Sequence, residues 1–538
     1  MNFDYIIVGG GSAGCILADK LSSSGKHTVL LIEAGGSDAS LWYKVPIGYA
    51  KSYYDSKVNW MFYSEPEAQL NNRSVYCPRG KILGGSGAIN AMIYVRGFKN
   101  DFADWASNGN PLWSYDQVLP FFKQLETHAS GETEYHGGSG PIKITQMKDG
   151  AHPICNQYLA ACNEIGLPLN DDFNGETPLG AGIYDINVNN GYRSSSNYEF
   201  LAKARNRSNL SIKLNTIVNK VNFNGKQAVG VNITSMGKIE DITANCEVIL
   251  SAGAVHSPMI LQLSGVGPRE LLAKHNIDIV HELDAVGKNL QDHICASLYY
   301  EANVKTLNDD LNSLWGKAKT ALNYLFFKKG LFALSVNQAG GFFKGDTNLS
   351  DPNIQLYFNP LSYQIPKDGS NNLKPEPYSG VLLAFNPCRP TSRGTIEISA
   401  NDPLAKPFIR PNYLTTAHDQ NEVLQGTKLM LKIMKSQTMQ KITVRQTVPD
   451  YPLNTDAEII DYFKNNSGSI YHLCGTCAMG DNPNTSVVDQ YLRVHGVSNL
   501  RVIDSSIFPN VTSGNTNAST MMVALRGADM IVNSEKMQ

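Results

Sequence analysis

A chain of 538 residues is long enough for two hydrophobic cores, and 42% apolar with 17% charged residues is an ordinary globular composition. Forty-six basic side chains nearly balance 48 acidic ones, a net charge of −2, which excludes nucleic acid as the expected partner. Nine cysteines, sparse and odd in number, argue against a disulfide scaffold and fit the reduced thiols of a cytoplasm.

The N-terminal stretch MNFDYIIVGGG has no basic segment ahead of a long apolar one, so no signal peptide is expected. No apolar run reaches 18 residues, so no spanning helix is expected either. Phe3 to Val8 reads as a strand, and Gly9, Gly11 and Gly14 form G-x-G-x-x-G before a helix-spaced segment. A second strand, HTVLLIEAGG, brings Glu33 about 20 residues after the last glycine, the spacing of a dinucleotide-binding unit. Glycines allow the tight turn, the helix N-terminus meets phosphates, and the acid takes a ribose hydroxyl. The motif alone does not separate NAD from FAD. Its place at the start of so long a chain leans toward FAD.

A second glycine cluster, RGKILGGSGAINAMIYVRG (79–97), would let backbone crowd a large planar ligand. Together with the opening motif, this resembles the glucose–methanol–choline (GMC) family of flavin oxidoreductases. Further along, YRSSSNYEFL (192–201), VILSAGAVHSPMILQLSGVG (248–267), VGKNLQDH (286–293), TSRGTIEISANDP (391–403), YHLCGTCAMG (471–480) and the segment 500–531 resemble family motifs in the family's order. The likeness is strongest to bacterial choline-dehydrogenase-like and alkanol-dehydrogenase-like members.

The resemblance implies an α/β fold: a Rossmann-type FAD-binding domain and a substrate-binding domain built on an antiparallel sheet. The implied FAD domain is discontinuous, from 1–150, 195–295 and 485–538, with 151–194 and 296–484 forming the substrate domain. Strand-like PNIQLYF (352–358), GVLLAFN (380–386) and GTIEIS (394–399) suit that sheet, and PKDGSNNLKPEPY (366–378) reads as a surface loop. By match, Gly9, Gly11, Ser12, Ala13, Gly14, Glu33 and Ala34 hold the ADP half of FAD, and Val218 meets the adenine. Gly85, Asn90 and Ala91 line the isoalloxazine, and Asp504 closes on the ribityl chain. Some members tether FAD through a histidine just before the position of Asn90. Ile89 stands there and cannot form such a bond, so non-covalent FAD is expected. Gly87 departs from the hydroxyl residue common at its position, either loosening the loop or making room.

YHLCGTCAMG offers three readings of His472: a metal ligand, a partner of a redox dithiol, or a catalytic acid/base. His472, Cys474 and Cys477 supply too few ligands at an unusual zinc spacing. Cys-x-x-C here sits in a turn rather than at a thioredoxin-like helix start. Both cysteines read as small buried hydrophobes. The resemblance favours the acid/base role. Alcohol oxidation needs a base at the hydroxyl, before the flavin N5, and a polar group that holds the oxygen. The family draws that partner from the segment matching SGNTNAST, where Asn515 is the better match and Asn517 the fallback, or a helix cap.

On the substrate side, Tyr471 matches an aromatic beside the histidine. Gln338, in SVNQAGGFFKG, matches the glutamate that choline-handling members set against trimethylammonium. Loss of that charge points to a neutral primary alcohol. TALNYLFFKKGLFALSV (320–336) reads as a helix over the substrate cavity, or as an interfacial patch toward a membrane quinone. The expected activity is FAD-dependent oxidation of a primary alcohol to an aldehyde, with electrons passed to a quinone or other acceptor. The alternatives are an oxidase using O2, or a lyase or photodecarboxylase on the same fold. The expected place is cytoplasmic, with peripheral membrane contact left open. Oligomeric state is not legible.

Overall fold

Asn2–Val8 forms the strand that its apolar run demands, and its last four residues are fully buried. It pairs in parallel with Val29–Ile32 on one side and with the long strand Lys238–Leu250 on the other. Leu210–Lys213 and Leu500–Val502 extend the parallel part, while Gln227–Ser235 and Thr216–Asn224 continue it antiparallel, seven strands in all. Helix Ser12–Ser22 packs beneath this sheet, and helix Asn517–Lys536 packs against that helix. The computed structural model describes residues 1–364 and 373–536.

A second sheet is wholly antiparallel, in the order Ala339–Phe343, Ile354–Asn359, Gly380–Pro387, Ile294–Ala302, Thr443–Val448, with Gly468–Ser469 also paired to Ile294–Ala302. Its inner strands are buried on both faces, so the sequence shows continuous apolar runs instead of alternation. The two faces still differ. Ile294, Ala296, Leu298, Leu356, Phe358, Leu383 and Phe385 pack among residues of helices Ile154–Glu164 and Ala417–Met434. Their neighbours one position along, Cys295, Ser297, Tyr357, Asn359, Leu382 and Ala384, face a large cavity.

Two of the three sequence-read strands pair as neighbours here. The third, GTIEIS, pairs instead with Phe408–Arg410 in a separate two-stranded ribbon. Ile396 and Ile398 bury against Ala254, Val255 and Met259 of helix Gly253–Leu263, which takes them away from the sheet. Residues 366–372 of the expected surface loop lie outside the described residues.

Candidate active site

A single cavity of about 1460 Å³ runs from the glycine turn after the first strand to the antiparallel sheet. That exceeds the usual volume for one small ligand, roughly 300–1,000 Å³, and suits a dinucleotide with a substrate beside it. At one end it is lined by Gly9, Gly11, Ser12, Ala13, Glu33, Ala34 and Val218. Gly14 stands behind this wall, where a Cβ would lie 1.9 Å from the Gly9 carbonyl oxygen, so only glycine lets the helix sit so close to the strand. Both Glu33 oxygens accept backbone N–H groups, from Gly35 and Gly10 at 2.8 Å each, and burial pushes its carboxyl up to about 7. Two helices, Ser12–Ser22 and Gly253–Leu263, begin at the cavity wall without a side-chain cap. A helix N-terminus favours an anion, and the first helix begins at the glycine turn that lines the cavity.

The middle of the cavity is built by Gly85, Asn90 and Ala91 with Ile89. Asn90 is fixed by Arg193, whose guanidinium donates to both its backbone and side-chain oxygens and to the Gly87 carbonyl. A Cβ at Gly87 would lie 2.5 Å from Ser12 Oγ, which donates to Asn517 Oδ1 at 2.8 Å. The missing Cβ at Gly87 leaves space for that bond. Asp504 accepts from Gly253 N at 2.8 Å, Ser257 Oγ at 2.6 Å and Ser506 N at 2.7 Å, tying the second glycine helix to the C-terminal segment.

At the far end stand Tyr471, His472 and Asn515. Tyr471 has φ +74°, a left-handed conformation that costs a non-glycine residue on the order of 1 kcal/mol or more. Three neighbours hold it. Ser469 Oγ accepts its N–H, Arg79 donates to its carbonyl, and Asp292 Oδ1 accepts the N–H of His472 at 2.7 Å. This turn aims the His472 ring at Asn515, with Nε2 and Nδ2 3.2 Å apart. Gln355 Nε2 donates to Asn515 Oδ1 at 3.5 Å, which turns the amide N–H toward the histidine. Burial, then His293 and Arg79, hold the His472 pKa well below the ordinary histidine value. A neutral imidazole can accept a proton, and an amide N–H beside it can donate to an oxygen. Asn517, the fallback, is instead the first residue of its helix and takes the Ser12 hydroxyl.

The placement of Gln338 corrects the sequence expectation. It does not line the cavity, whereas Val336 and Asn337 do. Its Oε1 accepts the N–H of His152 at 2.7 Å, and the residue is buried against the helix that follows. A side chain turned that way cannot meet a substrate, so the reading of substrate charge from position 338 does not stand. Cys474 and Cys477 pack in the same core as the seven-stranded sheet, and burial pushes both thiols up. Sequence reasoning missed His293, Gln355, Arg193 and the wall of Tyr49, Tyr53, Tyr357 and Tyr363. VGKNLQDH was noticed, but nothing local marks its histidine as lying against His472.

Comparison with known proteins decides the family. The N-terminal GMC oxidoreductase domain matches residues 3–295 and the C-terminal one matches residues 390–524. The chain belongs to the GMC oxidoreductases. Its relatives include the oxygen-dependent choline dehydrogenases of Photobacterium profundum, 39% identical over 98% of this chain and 93% of that protein, and of Escherichia coli, 39% identical over 99% and 96%. Among solved structures, pyridoxine 4-oxidase from Mesorbium loti superposes with a TM-score of 0.88 at 28% identity, covering 98% and 99% of the two chains. A formate oxidase superposes at 0.91 with 25% identity, covering 99% of each. This GMC member is an FAD-dependent oxidoreductase of the class that acts on CH–OH groups. Its glycine turn, the helix start there and the cavity volume fit that cofactor.

Proposed function

We propose that this protein oxidises a neutral primary alcohol to an aldehyde, with His472 as base and Asn515 as the donor to the oxygen. The carrying observation is the 3.2 Å approach of Asn515 Nδ2 to His472 Nε2 at the cavity wall. His472 Nε2 takes the hydroxyl proton, and Asn515 N–H stabilises the oxygen while it bears alkoxide character. FAD, when bound, supplies the two-electron sink for the hydride that leaves the carbinol carbon. Electrons then pass to a quinone or another acceptor. The oxidase reading, with O2 as acceptor, is favoured by likeness to the oxidases named above.

A neutral substrate rests on charge. Glu33 and Asp504 are the carboxylates among the described lining residues, and both belong to the cofactor half. Lys51, Arg73, Arg79, Lys317 and Lys374 also line the cavity. The tyrosine wall could face a cation, but among the described residues no carboxylate lines the cavity at His472 to balance one, and Asp292 behind it is taken up by the His472 N–H. The test is anaerobic mixing of the holoenzyme with choline, hexanol, benzyl alcohol and a polyol while following the flavin spectrum. Bleaching by hexanol or benzyl alcohol is expected, and bleaching by choline alone overturns the substrate class. No bleaching by any of them overturns the proposed activity. Replacing His472 with Ala is expected to slow flavin reduction by roughly 10²–10⁴-fold with FAD retained.

Ile89, at the cavity wall, supports non-covalent FAD. Acid precipitation is expected to leave the yellow colour in solution. A cytoplasmic place is proposed on the sparse and odd count of nine cysteines.

Peripheral membrane contact is supported by helix Leu314–Phe327 beside the cavity mouth. Leu314, Trp315, Leu322, Leu325, Phe326 and Phe327 are all exposed, Leu314 by 85%. Lysines 317, 319, 328, 329 and 344 accompany them, with no acid between 313 and 345. That pattern suits an anionic lipid surface. No helix among the described residues is long and apolar enough to cross a membrane. Co-sedimentation with phosphatidylglycerol vesicles is expected, and its loss in Trp315→Ser/Phe326→Ser would confirm the patch. Self-association without vesicle binding would assign it to a second copy instead.

A further inference from the structure

His293 ends the segment 286–293 and is completely buried, just ahead of strand Ile294–Ala302 of the antiparallel sheet. Its Nε2 lies 2.8 Å from the carbonyl oxygen of Cys388, and its Nδ1 lies 2.9 Å from His472 Nδ1. A carbonyl only accepts, so His293 Nε2 carries the hydrogen in that bond. No carboxylate touches either ring, and burial holds His293 neutral, its pKa pushed down to about 4. A neutral imidazole has one N–H, so His293 Nδ1 presents a lone pair. The hydrogen between the two Nδ1 atoms therefore belongs to His472.

We propose that His293 is a positioning residue that fixes the tautomer of His472, leaving Nε2 bare on the cavity side. This deepens the proposed function, since it says why that nitrogen can act as a base. Two independent ends agree. From the sheet, the chain runs from the Cys388 carbonyl through His293 to Nδ1–H of His472. From the cavity, Asn515 Nδ2 is a donor and needs an acceptor at Nε2. The opposite tautomer would set donor against donor at Asn515 and lone pair against lone pair at His293. When His472 Nε2 takes a proton, its Nδ1–H stays donated to His293. The imidazolium is thus stabilised without a carboxylate that would charge the ring beforehand.

The test uses the holoenzyme and two variants. His293→Leu keeps apolar bulk but removes the acceptor. His293→Asn can present its Oδ1 close to the place of Nδ1. Anaerobic flavin reduction is expected to slow about 10-fold to 100-fold in the Leu variant, with little change in apparent substrate affinity. The Asn variant is expected to recover most of the rate. Imidazole nitrogen-15 spectra of histidine-labelled protein, assigned by loss of the signal in His472→Ala, give a readout without turnover. The parent is expected to show protonated Nδ1 and bare Nε2 on His472, and the Leu variant a mixture. A parent with the reverse pattern overturns the inference, as does a Leu variant with the parent's rate and pattern. If no alcohol reduces the parent, the proposed function falls, while the nitrogen-15 pattern still decides the role of His293. If the Leu variant loses FAD, the parent spectrum and the Asn variant decide it.

Discussion

Two buried histidine pairs sit in this molecule, and they are built in opposite ways. His128 and His136 stack at 3.8 Å among carboxylates, while His293 and His472 meet at 2.9 Å with none touching their rings. His136 donates from Nδ1 to Glu126 Oε1 at 2.8 Å and from Nε2 to Asp172 Oδ2 at 2.9 Å. A ring whose two nitrogens both face carboxylates must carry both protons. Burial opposes that charge, but the bonds to Asp172 and Glu126 hold its pKa at about 9. Arg96 completes the set on Glu126, and its chain segment runs on from Asn90 and Ala91 behind the cavity. His472 is equally buried and stays neutral, because an imidazole and an amide replace the carboxylates. Burial alone does not decide the charge of a histidine; the atoms at its two nitrogens do. One pair clamps the wall and the other holds a neutral imidazole at the cavity.

The comparison breaks most sharply at Glu126. Glu126→Gln leaves Arg96 and His136 buried with too little negative charge, which should cost about 3–5 kcal/mol in urea unfolding. A cost within error would mean that the cluster is not an ion network. Turning the neutral pair into a charged one is the next largest change. Asn515→Asp sets a carboxylate at His472 Nε2, which should raise its pKa and lower the rate of flavin reduction near neutral pH by about 10²-fold. An unchanged rate would remove the need for a neutral His472.

Smaller effects sharpen the contrast through pH. The folded pKa of His136, about 9, lies above the ordinary value near 6.5, so its stabilisation is complete below about pH 6.5 and is lost as pH rises through 9. The gap in urea midpoint between the parent and His136→Phe should therefore narrow from about pH 6 to pH 9.5. His472 moves the other way. Its pKa is lowered, so it stays a base through neutral pH and loses that role only as pH falls below the ordinary value, about 6.5. The rate of flavin reduction should be flat from about pH 8 to 6.5, and a drop across that interval would contradict the neutral pair.

Much of this site was legible because its signals are local. The strand, glycine turn, helix and second strand through Glu33 lie within 35 residues and appear as read. The turn around His472 and the segment around Asn515 also carry their own patterns. What was not legible depends on distant pairing. His293 and His472 are 179 positions apart, and Arg193 reaches Asn90 across 103. Gln338 shows a finer limit. Side chains near a strand alternate, so one position decides between cavity and interior, and a short motif match does not fix that parity. Asn337 took the cavity and Gln338 the interior. GTIEIS was legible as a strand, but its partner was chosen by Ile396 and Ile398 burying against a helix.

The bond from Ser12 Oγ to Asn517 Oδ1 joins positions 505 residues apart, in the space that Gly87 leaves open. It makes the glycine turn and the C-terminal segment two halves of one wall. A nascent chain can form the glycine turn and its helix as soon as the first strands emerge, yet the wall opposite waits for Asp504, Asn515 and Asn517. Until those residues leave the ribosome the pocket is a half-shell, with the second sheet already present and nothing to close over it. The wall that would hold the cofactor is thus complete only once this C-terminal segment is in place.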